Sequence, residues 1–270
     1  MNSNRTATTA LRIESPGHAA FAAIMIALGI IGLVQGDFTP TWSGVPKSFP
    51  AREALAYLCA GVSLLTGIGV LWRRSAVVAS RVLLFYLLLW LLLFKVSRIF
   101  IDPPSVITWW ACADTAVMAA ATWVLYAWFG IDRDGSRVGF AAGESGLRVA
   151  RVLYGLALIP FGVAHFTYLK ETVVLVPGWL PWHVAWAYFT GGAFIAAGVA
   201  IVVGAVARLA ATLSAVEMGL FTLLVWVPIV SAEPNTYQWS EFVDSCALTA
   251  GAWLVADSYR GMPWLAVGKR

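Results

Sequence analysis

The chain has 270 residues, 60% of them hydrophobic and only 12% charged, with a mean hydropathy of +0.78. A soluble domain is nearer half apolar and a quarter charged, so this composition excludes a water-soluble protein and requires lipid as the solvent. The net charge of +4 is scattered between apolar runs and forms no patch, which excludes nucleic acid as a partner.

A membrane-spanning helix needs about 20 largely apolar residues. Eight stretches qualify, running approximately Ala19–Gln35, Ala54–Trp72, Ala76–Phe94, Ser105–Phe129, Ala150–Thr167, His183–Gly204, Leu209–Val230 and Trp239–Ala256. The first follows a polar, mildly basic N-terminus and is longer than a signal-peptide core, so it is read as a retained helix. The connections at 36–50 and 168–181 are rich in Pro, Trp and β-branched residues, whereas a mere tether would be polar. They are expected to be ordered caps over the outer mouth. The segment GIDRDGSRVGFAAGESG, starting at Gly130, reads as a solvated linker.

The chain contains its own scaffold twice. Val45–Val70 and Val176–Ile201 share 8 identities in 26 ungapped positions at an offset of 131, including a VPxxφP motif whose φ is Phe49 or Leu180. That motif fixes two φ angles and removes two donors just before a helix. Pro104, Trp109, Asp114, Ala120 and Trp123 return as Pro234, Trp239, Asp244, Ala250 and Trp253 at an offset of 130. Such fixed-period similarity signals a duplication.

The expected architecture is therefore an all-α membrane protein. Its eight transmembrane helices form two four-helix bundles related by a pseudo-two-fold axis along the membrane normal. Residues 1–130 make the first repeat, 131–147 a cytoplasmic linker and 148–270 the second repeat. With both termini inside, 13 Lys and Arg residues lie on the cytoplasmic side against 5 outside. The outer five are Lys47, Arg52, Lys95, Arg98 and Lys170. Gly61, Gly67, Gly192 and Gly198 are expected to let helices approach closely.

Acidic residues inside spans ask for a reason, because a charge there costs about 2.5–3.5 kcal/mol. Asp114 and Asp244 hold equivalent positions five residues after Trp109 and Trp239. Either they lock helices by hydrogen bonds or they form a proton or ligand site. Each is expected to face the interior of its own bundle, with Arg52 and His183 as the respective basic partners. Glu217 lies near the middle of the seventh helix, with Leu83 as its counterpart across a three-residue gap. His165, His183 and Glu241 match Gln35, Arg52 and Ala111. The second repeat has thus gathered titratable groups toward one outward-facing pocket, expected to be lined from His165, Tyr168, Trp179, His183, Tyr188, Glu217, Trp239 and Asp244. Glu217, Asp244 and His165 are the candidates for chemistry, and Asp114 the structural polar residue. No local ligand spacing suggests a metal. Cys59, Cys112 and Cys246 form no CxxC and are not repeated, which favours buried free thiols over a Cys59–Cys112 bridge.

Gly162, His165, Phe166, Val176, Pro177, Leu180, Pro181, Tyr188, Gly191, Gly198 and Arg208 together resemble the DoxX-like membrane proteins. Those are four-helix units with a G…HF-like end to the first helix, a Pro-containing outer loop, a Gly-rich second helix and an Arg at the next inner turn. The likeness covers mainly Arg148 to Pro228, with a weaker echo in the first repeat, as in a tandem fusion. It implies a bacterial cytoplasmic (inner) membrane protein tied to quinone- or thiol-linked redox chemistry, with a quinone or other lipophilic molecule as ligand and a membrane or periplasmic protein as partner, besides membrane lipids. Many members carry a Glu in the second helix where this chain has Phe194 and, in the first repeat, Ser63. The functional expectation is a membrane subunit or partner of a redox system. The alternatives are a non-catalytic binding or assembly protein and a small-solute transporter.

Overall fold

The computed structural model describes residues 11–134 and 141–267, with 131–134 followed by backbone alone. Of the basic residues counted on the inner side, Arg5, Arg137, Lys269 and Arg270 lie outside the described residues, as does the middle of the linker, and of Arg133 only the backbone is described. The long helices are α1 (Pro16–Gln35), α2 (Arg52–Leu71), α3 (Ala76–Ile101), α4 (Val106–Asp134) and α5 (Gly143–Thr167). A short α6 (Leu169–Leu175) follows, then α7 (His183–Val203), α8 (Ala207–Ala232) and α9 (Thr236–Asp257).

Seven of these helices are long and apolar enough to cross a membrane, which makes the chain a multi-pass membrane protein. The eighth expected span, α9, forms a helix of 22 residues but is not among those seven. Gln238, Glu241, Asp244 and Asp257 punctuate its apolar run.

Local chemistry explains where the helices start. The Ser15 hydroxyl accepts from the His18 amide at 3.0 Å, Pro16 takes the first helical position, and left-handed Gly36 ends α1. Asn235 caps α9 by accepting from the Gln238 amide at 2.9 Å. Each VPxxφP motif is followed by a residue held left-handed, Ala51 at φ 52° and Trp182 at φ 58°, before α2 and α7 begin. The last proline fixes its own φ, and the non-glycine residue after it bears the strain of the turn into the helix. α3 and α8 each contain one widened π-turn, Leu91–Val96 and Thr222–Trp226.

Helix starts and packing fix the register of the duplication. α2 and α7 begin at Arg52 and His183, and α3 and α8 at Ala76 and Ala207, both 131 apart. The π-turns begin 131 apart as well, at Leu91 and Thr222. No gap is needed in the third helix, so the counterpart of Glu217 is Tyr86, not Leu83. The first helices are offset by 133. A Cβ on Gly29 would lie 2.5 Å from the Leu64 amide nitrogen, and one on Gly162 2.5 Å from the Ile195 side chain. Likewise Gly67 lies against Ile26 and Gly198 against Ile159. By the same register His165, whose Cβ abuts Gly191, stands where the first half has Gly32 against Ala60. The expected match to Gln35 is corrected accordingly. Of the four membrane glycines, Gly67 and Gly198 bring helices together, while Gly61 and Gly192 face open space.

Around the molecule, α1 packs on α2, α2 on α3, α3 on α4, α4 on α5, α5 on α7, α7 on α8, α8 on α9, and α9 back on α1. α4 and α9 also meet directly. Each contact within the first half has a counterpart in the second. The first helix of each half packs on the fourth helix of the other half, so the halves share one ring. They are not the two self-contained bundles that were expected, and the main apolar core runs through both halves.

The caps differ. In the first, a single turn at Pro40–Trp42 packs against α4 and α9, and Trp42 is 1% exposed. Its indole donates to the Ser63 hydroxyl at 2.7 Å and meets Trp90 edge-on. In the second, α6 and the loop after it leave Val174, Trp179 and Trp182 exposed. At the other end of the molecule, Leu11 pairs with Trp72, Val267 pairs with Ala205, and the Gly17 amide donates to Asp257 at 3.0 Å. Both ends of the described chain are therefore at one membrane end. There Arg151 bonds Ser258 and Glu144 and lies over the Tyr259 ring. Burial pushes the Tyr259 phenol up to about 12, although Arg151 opposes the shift.

Two substitutions test this packing. Gly198→Leu must displace the Gly155 backbone, 2.6 Å from a Cβ, and is expected to cost roughly 3 kcal/mol, the upper part of the overpacking range. Gly192→Leu, at a site open for 4 Å, should leave the melting temperature in detergent unchanged. Equal effects would contradict the register. At the strained cap, Ala51→Val should lower melting and Ala51→Gly should not, because a β-branched residue fits the left-handed region worst.

Candidate functional site

Lys95, Asp114, Glu241 and Asp244 approach one another near the junction of α3, α4 and α9, by the first cap. Lys95 stands in the widened turn of α3, 3% exposed, while Leu92 and Leu93 of the same turn face outward. Such π-turns recur at functional sites. The Lys95 ammonium donates to the Ser43 hydroxyl at 2.7 Å and is in electrostatic reach of Asp114 and Asp244. The Ser43 carbonyl accepts from the Trp90 indole at 3.2 Å, which holds the cap in place.

Asp114 comes from α4 and is half-buried, with Oδ1 inaccessible and without a hydrogen-bond partner. Its electrostatic neighbours are Asp244, Lys95 and Glu241, and the Trp110 side chain lies beside it. Asp244 comes from α9 with Glu241 one turn before it. The Thr115 hydroxyl reaches the Thr41 carbonyl of the cap at 3.5 Å, while the Thr41 hydroxyl itself is buried without a partner. One ammonium group thus lies in electrostatic reach of two aspartates, with Glu241 in reach of both aspartates, in a largely apolar setting.

The two aspartates do not each turn into a bundle of their own. They meet between the halves, because α4 and α9 pack together. The expected basic partners are engaged elsewhere: Arg52 pairs with Asp37 at 2.8 Å and lies over the Phe38 ring. His183 lines an open groove of about 910 Å³ at the second cap, together with Tyr188, Trp182, Pro181 and Val173. Of the eight residues expected in one outward pocket, only His183 and Tyr188 share that groove. Trp179 is exposed, Tyr168 ends α5, and Trp239 packs edge-on against Phe242.

His165 is buried with Nδ1 bonded to the Phe161 carbonyl at 2.8 Å, its ring between Phe194 and Phe221. That is the environment of a packed structural histidine. Glu217 is half-buried with one carboxylate oxygen unpartnered, and Tyr154 is within electrostatic reach. The Tyr154 hydroxyl is bound to Ser214 at 2.9 Å. All three cysteines are free. Among the described residues, no group of three His, Cys, Asp or Glu side chains is placed to hold a metal ion.

Lys95 was missed by sequence reasoning, which counted it among the outer-loop cations. The available signal was its place in LLLFKV, where the apolar run enters and leaves the lysine without a turn residue.

Removing the lysine should expose its role. Lys95→Met removes the ammonium in electrostatic reach of Asp114 and Asp244 and its hydrogen bond to Ser43, and is expected to destabilise the protein by about 1–3 kcal/mol, the cost of losing a charged hydrogen bond in a buried setting. Adding Asp114→Asn to Lys95→Met should recover part of that loss in thermal unfolding. Additive effects would show that the two groups are not coupled.

No family model matches the chain, and no curated protein or solved structure matches it.

Proposed function

We propose that this chain is a membrane subunit or partner of a redox system that handles protons at the Lys95–Asp114–Asp244 cluster. The carrying observation is that a lysine and two aspartates from both halves meet in a largely apolar setting while one Asp114 oxygen has no partner. In a low-dielectric site, surplus carboxyl groups are neutralised most cheaply by protons, and groups that gain and lose protons inside a membrane mark relays. The resemblance of Gly162 through Arg208 to DoxX-like proteins supports the quinone- or thiol-linked part of the reading.

The same proposal takes α9 as an eighth span and the halves as related by a pseudo-two-fold axis along the membrane normal. The matching helix contacts and paired π-turns support that relation. It places the chain in a bacterial cytoplasmic membrane with both termini inside. In support, Arg12, Arg73, Arg74, Arg208 and Arg260 gather at the end where Gly17 meets Asp257.

The exposed second cap favours a second reading, a non-catalytic binding or assembly protein whose partner docks on Trp179 and Trp182. Two measurements separate the readings. Infrared difference spectra of reconstituted protein after a pH step should contain a carboxyl band that is lost in Asp114→Asn or Asp244→Asn. Mass spectrometry of detergent-extracted protein should find a lipophilic redox ligand. A spectrum with no band from either aspartate, and extracts holding only phospholipid, would leave the binding reading.

A further inference from the structure

A second groove, of about 550 Å³, runs between α8 and α9 at the basic end, far along α9 from Glu241 and Asp244. Its mouth carries Arg208, Arg260 and Asp257 beside Trp264. Its interior passes Val216, Leu223 and Trp253. Three threonines also line it, but their hydroxyls are turned to the protein. Thr212 donates to the Arg208 carbonyl at 2.9 Å, and Thr222 lies 2.7 Å from the Ser245 hydroxyl and 2.9 Å from that of Thr249. The interior therefore offers methyl groups and rings, with its hydrogen-bonding capacity already spent. At Gly219 the groove is open, since a Cβ there would meet nothing closer than Thr249 at 3.6 Å.

The mouth has the opposite character. Arg208 lies 3.9 Å over the Trp264 ring and donates to the Met262 carbonyl. Arg260 pairs with Asp257 at 2.8 Å, yet its side chain is 53% exposed. Each guanidinium has five N–H donors, so both retain donors for an incoming anion. Both carboxylate oxygens of Asp257 are engaged, one by Arg260 and the other by the Gly17 amide. Asp257 is moreover only 7% exposed, so a ligand cation would meet a buried, already engaged carboxylate, whereas a phosphate would find two arginines.

From this we propose that the groove is a site for an anionic phospholipid, with its phosphate between Arg208 and Arg260 and one acyl chain laid along the α8–α9 groove over Gly219. The half-exposed Trp264 beside the arginines suits the membrane interface at which such a headgroup lies. A zwitterionic lipid meets the same groove but brings a cation with no acceptor. The site is independent of the Lys95 cluster and of any redox role.

The full chain, purified in detergent and stripped of lipid, is titrated with phosphatidylglycerol, with phosphatidylcholine of the same acyl chains, and with inorganic phosphate. Binding is read by native mass spectrometry and thermal unfolding. Phosphatidylglycerol is expected to bind about tenfold more tightly than phosphatidylcholine, a preference of one charge interaction, and to raise the melting temperature. In R208Q/R260Q the preference should vanish. Arg260→Gln alone, at an exposed position, should reduce it without unfolding the chain. Gly219→Leu should keep the fold and weaken both lipids by filling the groove. Equal affinity for the two lipids, a preference retained in R208Q/R260Q or undiminished in Arg260→Gln, or lipid binding unchanged in Gly219→Leu would each overturn the proposal. So would stabilisation by inorganic phosphate equal to that by phosphatidylglycerol, which would mark a free-anion site.

Discussion

Lys95 brings a positive charge into a region where an unpartnered charge costs several kilocalories per mole, and its surroundings are arranged around that constraint. Its ammonium is held by Ser43, which is available only because the first cap folds inward on Trp42. The aspartates in its electrostatic reach belong to α4 and α9, so their approach requires the two halves to pack through their fourth helices. Cap, π-turn and inter-half contact thus converge on this one ammonium group.

The duplication provides a scaffold that the two halves have used differently. Both keep the close glycine approach of the first helix to the second, the left-handed residue before the second, and the widened turn in the third. In the first half, Trp42 fills the space beside Ser63, while at the matching position of the second half Phe194 packs against Phe161, His165 and Phe221. The first cap is consequently drawn into the core and the second left exposed. A large side chain supplied by the cap in one half is supplied by a helix in the other, which explains how equivalent backbones end in unlike surfaces.

Much of this was legible from residues alone. The long apolar runs announced the helices because hydrocarbon leaves a backbone few other options. The repeated prolines, glycines and Trp–Asp steps announced the duplication because they recur at a fixed offset. The candidate site was only half legible. Asp114 and Asp244 stood out because acids in apolar runs are costly. Their partners did not, since Arg52 turns to Asp37 and His183 to the outer groove.

The difference has a physical origin. Helix existence, helix starts and the internal repeat depend on interactions within a few residues, so composition, caps and spacing determined them. α9 was the weak case, since its polar residues are tolerated through neighbours that the sequence does not name. Which helices become neighbours across the halves depends on how whole surfaces fit. A sequence reading that pairs each helix with others of its own repeat sends the two aspartates apart. Only the tertiary packing of α4 on α9, with α1 on α9 and α4 on α5, brings them together beside Lys95.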